Sequence, residues 1–93
     1  MLSEQLKESE EKIISLTQKL SKVQNENERQ QLLLEREANN HFNIGVKHHL
    51  AGDYLNASKE YKAATELKLK FPEAYNNWGN ALAHLAQTKS GVE

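Results

Sequence analysis

Residues 1–44 contain neither proline nor glycine, and Glu, Lys, Gln and Leu dominate the first part of that span. The residues that usually end a helix are therefore missing, and one long helix is expected. Alternate steps of four and three pick out Leu2, Leu6, Ser9, Ile13, Leu16, Leu20, Val23, Asn27, Gln30 and Leu34. This is a heptad seam, with Leu6, Ile13, Leu20, Asn27 and Leu34 at a and Leu2, Ser9, Leu16, Val23 and Gln30 at d. The flanking faces are polar, so a solitary helix would leave its apolar stripe in water, and self-association buries it. An asparagine at an a position hydrogen-bonds its own copy when two strands run parallel and in register, so Asn27 argues for a parallel homodimer. A trimer is the alternative, because Val23 and Gln30 at d do not select two strands, and Glu10, Lys12, Lys19 and Glu26 at e and g form no complementary ladder.

Composition supports the need for a partner. Ninety-three residues with 38% hydrophobic content and a mean hydropathy of −0.80 are lean for a compact single core. The net charge is −1 and both signs are interspersed, so no basic face points to nucleic acid or a membrane surface. The chain has no cysteine, which excludes a disulfide framework, a thiol nucleophile and a thiolate metal site. There is no signal-peptide h-region and no apolar run long enough to span a bilayer, so a cytoplasmic protein is expected.

The second half carries an internal repeat. HFNIGVKH at 41–48 lies parallel to YNNWGNAL at 75–82, and the two glycines, Gly45 and Gly79, are 34 residues apart. That period belongs to tetratricopeptide repeats, and from about Ala38 onward the chain resembles this family. Its pattern W-x2-L-G-x2-Y, then A-x3-F, reads here as His41-x2-Ile44-Gly45-x2-His48 and then Ala57-x3-Tyr61, with Ala64 on a further small-residue position. The next copy opens as Tyr75-x2-Trp78-Gly79-x2-Leu82. Ala51-Gly52-Asp53-Tyr54 matches the family's turn, with glycine as helix stop and Asp53 as N-cap. His41 and His48 replace family aromatics, and the family proline is absent at Leu69, with Pro72 appearing three residues later.

The heptad seam and the resemblance together give an expected all-α fold: a long N-terminal parallel coiled-coil helix over residues 1–37, running without a linker into a repeat segment at 38–93. That segment holds about one and a half repeats, with helices near 38–51, 54–69 and 73–87. A single helix from about Ser3 to Ala51 would be roughly 70 Å long, with Asn39 and Asn40 as its candidate kink. The family packs small residues where helices cross, so Gly45 is expected to face Ala57 and Gly79 to await a helix. Ser90 and Glu93 form an S-x-x-E helix-start signal, which leads us to expect further repeats downstream.

The resemblance also implies a peptide groove lined by Asn39, Phe42, Val46 and His49 from one helix and by Asn76, Asn80 and Ala83 from the next. The lysine and asparagine of the family's carboxylate-binding subgroup are replaced here by Phe42 and Val46, and only Asn77 matches. His41, His48, His49 and His84 raise a metal or pH switch at the coiled-coil junction as an alternative, but their spacing is poor for chelation and no metal or cofactor is expected. No activated nucleophile, phosphate loop or carboxylate pair is present. The expected function is therefore non-catalytic: an oligomerising scaffold that binds itself and a protein or peptide ligand.

Overall fold

The computed structural model describes residues 1–90 and is all-helical: α1 (Leu2–Leu20), α2 (Glu26–Leu50), α3 (Tyr54–Leu67) and α4 (Pro72–Ser90). The molecule is elongated, 56 × 22 × 17 Å. The end of α2 and both limits of α3 and α4 lie within three residues of the positions the sequence suggests, whereas α2 starts at Glu26 and not near residue 38. At the end of α2, the Asp53 N–H donates to the His48 carbonyl at 2.8 Å and the Gly52 N–H to the His49 carbonyl at 3.1 Å. This closure needs a left-handed residue, and Gly52 supplies it with φ +82°. Asp53 then caps α3 by accepting from the Asn56 N–H. Pro72 occupies the first position of α4, where the N–H it lacks has no helical partner in any case.

The uninterrupted N-terminal helix is not what forms. α1 ends at Leu20, α2 begins at Glu26, and α1 folds back antiparallel along α2. Ser9 opposite Asn39, Lys12 opposite Glu35 and Leu20 opposite Arg29 define the pairing. Two side chains build the turn. Asn25 accepts from the N–H groups of Asn27 at 2.9 Å and Glu28 at 3.2 Å, satisfying donors that a helix start leaves free. The Arg29 guanidinium donates to the carbonyls of Leu20 and Val23 where α1 ends. No break occurs at Asn39 or Asn40, and the boundary between residues 37 and 38 falls inside α2.

The seam itself divides. Leu16, Leu20 and Ser9 are buried, as a seam requires, but Asn27, Gln30 and Leu34 are exposed. The half-buried and buried stripe of α2 runs instead through Arg29, Leu32, Arg36, Asn39 and Asn43, two positions out of phase with α1. Two residues turn a helix by about 200°, so a straight continuation would carry the apolar stripe to the opposite side. Folding back at residues 21–25 resolves that mismatch within one chain.

The core lies among α2, α3 and α4: Ala38, Phe42, Val46, Ala57, Tyr61, Ala64, Phe71, Ala74 and Ala81, with Leu2 and Leu6 of α1 packed against it. Because Asn25 caps α2 whereas Asn27 merely sits in its first turn, Asn25→Ala should cost about 0.5–2 kcal/mol. Asn27→Ile, which would strengthen a coiled-coil seam, should change stability by under about 0.5 kcal/mol. Urea denaturation of the two variants checks both values.

Candidate functional site

The helices of the repeat segment meet around one contact. A Cβ placed on Gly45 would lie 2.8 Å from both Cδ1 and Cε1 of Tyr61 and 3.3 Å from Cβ of Glu60. The nearest neighbours of the glycine are therefore atoms of the Tyr61 ring, four residues beyond the Ala57 that the repeat pattern set against it. The reason is the lean of helical side chains toward the N-terminus, which carries the Tyr61 ring back over the turn that holds Ala57. Tyr61 is fully buried, tilted against Phe42 at 5.8 Å between centroids, and Phe42 in turn meets Phe71 at 5.1 Å. The phenol shares a 3.0 Å hydrogen bond with His49 Nδ1. Burial pushes the Tyr61 phenol up, partly offset by a hydrogen bond with Asn77.

The expected groove is half occupied. Asn39, Phe42, Val46 and His49 are buried, whereas Asn76, Asn80 and Ala83 on α4 are exposed. α1 covers part of the α2 wall: Ser9 Oγ donates to Asn39 Oδ1 at 3.0 Å, and Gln5 Oε1 accepts from Asn77 Nδ2 at 2.7 Å. Beside them Glu35 receives two lysines, Lys12 at 3.2 Å and Lys68 at 3.6 Å. Partial burial pushes the Glu35 carboxyl up, but the two ammonium groups outweigh it and hold the acid below its ordinary value. Burial, then the neighbouring Lys12, lowers Lys68, which also lies 4.7 Å from the Phe71 ring centre. These polar cross-links were hidden from sequence reasoning because each joins residues 23 to 72 positions apart.

The histidines serve three separate contacts. His41 Nδ1 meets Glu60 at 2.6 Å, His48 Nδ1 lies 3.6 Å from Asp53, and His49 packs edge-on against Tyr54, Tyr61 and His84. His84 stacks on Tyr54 at 4.8 Å. Among the described residues, no group of three or more His, Asp or Glu is placed to hold a metal ion. No helix among them is long and apolar enough to cross a membrane.

α4 differs from α2 at the equivalent glycine. Among the described residues, nothing lies within 4 Å of the position a Cβ would take on Gly79. Tyr75 and Leu82, one turn to either side, are 47% and 46% exposed, and Trp78 is half-buried, packed partly on the core. The helix-start signal at Ser90 and Glu93 runs outside the described residues. Of the other residues read as repeat packing, Ala57 and Ala64 are buried, while Ile44 is 43% exposed. No family model, curated protein or solved structure matches this chain.

The two glycines predict opposite outcomes. Gly45→Leu must displace a buried ring and should destabilise by about 1–3 kcal/mol or more. Gly79→Ala meets open space and should stabilise by about 0.5–1 kcal/mol through helix propensity. Thermal melts of both variants check the pair.

A pH prediction comes from His49. Burial, and then the charge of a protonated His84, holds its imidazole below the ordinary 6.5. The unfolded chain therefore binds its proton at higher pH than the folded one, and stability falls as pH drops below about 6.5. His49→Gln should lose less stability between neutral pH and the acid side of that range. The His41–Glu60 and His48–Asp53 contacts remain in both proteins, so the difference between the two melting curves isolates His49.

Proposed function

We propose that this chain is a non-catalytic protein-interaction module of the tetratricopeptide type, whose α4 face bearing Tyr75, Trp78, Gly79 and Leu82 receives a helix from a partner. One observation carries the reading: Gly45 is covered by an aromatic ring from α3, while Gly79, 34 residues on, meets nothing. The helix–turn–helix at α2 and α3 and the matching helix at α4 support the repeat assignment. The occupant of Gly45 defines the chemistry that fits Gly79. It is an amphipathic helix with a small residue followed four positions later by an aromatic, as in Ala57 and Tyr61, and it anchors by apolar burial in the manner of other helix-in-groove complexes.

A second reading, a pH-responsive element, is favoured by the ring cluster of His49, Tyr54, Tyr61 and His84 that ties α2, α3 and α4 together. It differs from the first in predicting acid-dependent loosening of α4 and not a ligand.

Trp78 is the single tryptophan and reports on the face directly. A synthetic peptide with the sequence of α3, added to the full chain, should blue-shift Trp78 emission saturably, and Gly79→Leu should abolish the shift. A spectrum unchanged up to millimolar peptide overturns the helix-binding reading.

A further inference from the structure

The open face of α4 has two properties beyond its exposure. Tyr75, Trp78, Gly79 and Leu82 stand at i, i+3, i+4 and i+7, on one side of the helix. Between Glu73 and Lys89 there is also no Asp, Glu, Lys or Arg, in a chain where these make up 27% of residues. A partner recognised by charge would leave a complementary charge here. A two-fold axis makes the reverse demand, because it sets each residue beside its own copy and any charge near the axis meets its like.

We propose that the occupant of this face is the same face of α4 in a second copy, the two helices running antiparallel, with each Trp78 indole laid over the bare Gly79 of the other chain. This rests on the reading of the face as a helix-binding surface and names its partner. An axis passing between positions 78 and 79 pairs Trp78 with Gly79 and Tyr75 with Leu82. Each layer then sets an aromatic against a smaller residue, and no two rings compete for the same space. The molecule already contains the contact on which this depends: the Tyr61 ring lies across Gly45, between antiparallel helices, because the glycine has no side chain to hold it off. Asn76 and Asn80, exposed beside the stripe, form a polar rim of the kind that borders an apolar interface centre. The surface is isologous, so one patch suffices for both partners.

The proposal also accounts for where self-association is not placed. Leu16 and Leu20, which the heptad pattern would offer to another copy, are buried within the chain's own hairpin. On α4, Trp78 packs only partly on the core, and Tyr75 and Leu82 beside it are exposed.

Sedimentation velocity of the full chain from micromolar to millimolar concentration tests the idea. The expected result is a monomer–dimer equilibrium accompanied by a blue shift of Trp78 emission. The Cβ of Gly79→Leu meets open space in the monomer, so the variant should melt no lower than the parent and yet dimerise at least about tenfold more weakly, equivalent to about 1.4 kcal/mol. Because the chain has no cysteine, an equimolar mixture of Tyr75→Cys and Leu82→Cys chains should form a disulfide-linked heterodimer under mild oxidation faster than either forms a homodimer.

A parent that stays monomeric throughout the range overturns the inference. So does a Gly79→Leu variant that dimerises as tightly as the parent, or a dimer whose Trp78 emission does not move. If the chain is monomeric but the α3 peptide still shifts Trp78, self-pairing fails while the helix-binding reading stands. If neither occurs, both fail.

Discussion

The packing of α2, α3 and α4 depends on a ring lying where a side chain would otherwise stand. Tyr61 fits above Gly45 because no Cβ is there, and from that position its ring reaches Phe42 while its hydroxyl reaches His49. Phe42 carries the contact on to Phe71 at the entrance to α4. A single missing methyl group thus lets one aromatic side chain join all three helices. Small residues around it do the same on a lesser scale: Ala57, Ala64, Ala74 and Ala81 are fully buried, and alanines at such positions let helix backbones approach without leaving voids.

α1 is attached by a different kind of chemistry. Its N-terminal half approaches α4 through side chains alone, with Gln5 reaching Asn77, and it meets α2 through Ser9 and Lys12. Hydrogen bonds of this type contribute about 1 kcal/mol each when satisfied and cost more when one partner is removed. Leu16 and Leu20 supply the apolar part nearer the turn. The hairpin therefore combines these directional contacts with apolar packing of Leu2 and Leu6 on the core at its open end and of Leu16 and Leu20 nearer the turn, while Asn25 and Arg29 satisfy backbone groups between the helices.

Sequence periodicity made the C-terminal part legible and misread the N-terminal part, for a definable reason. Gly52, Asp53 and Pro72 are residues with strong positional meaning, and they fixed the ends of α2, α3 and α4. Residues 21–25 contain no such breaker. The signal there was weaker, an Asn25 followed three positions later by Glu28, which is a capping pattern embedded in a run of good helix formers. A heptad count bridges such a site because Asn27, Gln30 and Leu34 fall in phase by residue type, although the stripe turned inward passes through the half-buried Arg29, Leu32 and Arg36. Of the residues expected to line a groove, Asn39, Phe42, Val46 and His49 on α2 are buried, while Asn76, Asn80 and Ala83 on α4 are exposed. The obstruction comes from α1, and no local pattern could report a contact between Ser9 and Asn39.

The two glycines show how one sequence element acquires two meanings. A glycine inside a helix costs stability wherever it stands, so its presence calls for a compensating contact. At Gly45 the compensation is internal and fully visible in the Tyr61 ring. At Gly79 the cost is incurred and no described residue covers the site, while the helix around it carries no Asp, Glu, Lys or Arg from Ala74 to Thr88. A position that weakens the isolated monomer is tolerated most readily where its return comes from association. The proposed helix partner would supply that return at the bare backbone of α4, as the Tyr61 ring does at Gly45. That inference follows from the same steric argument that explains the core, applied one repeat further along.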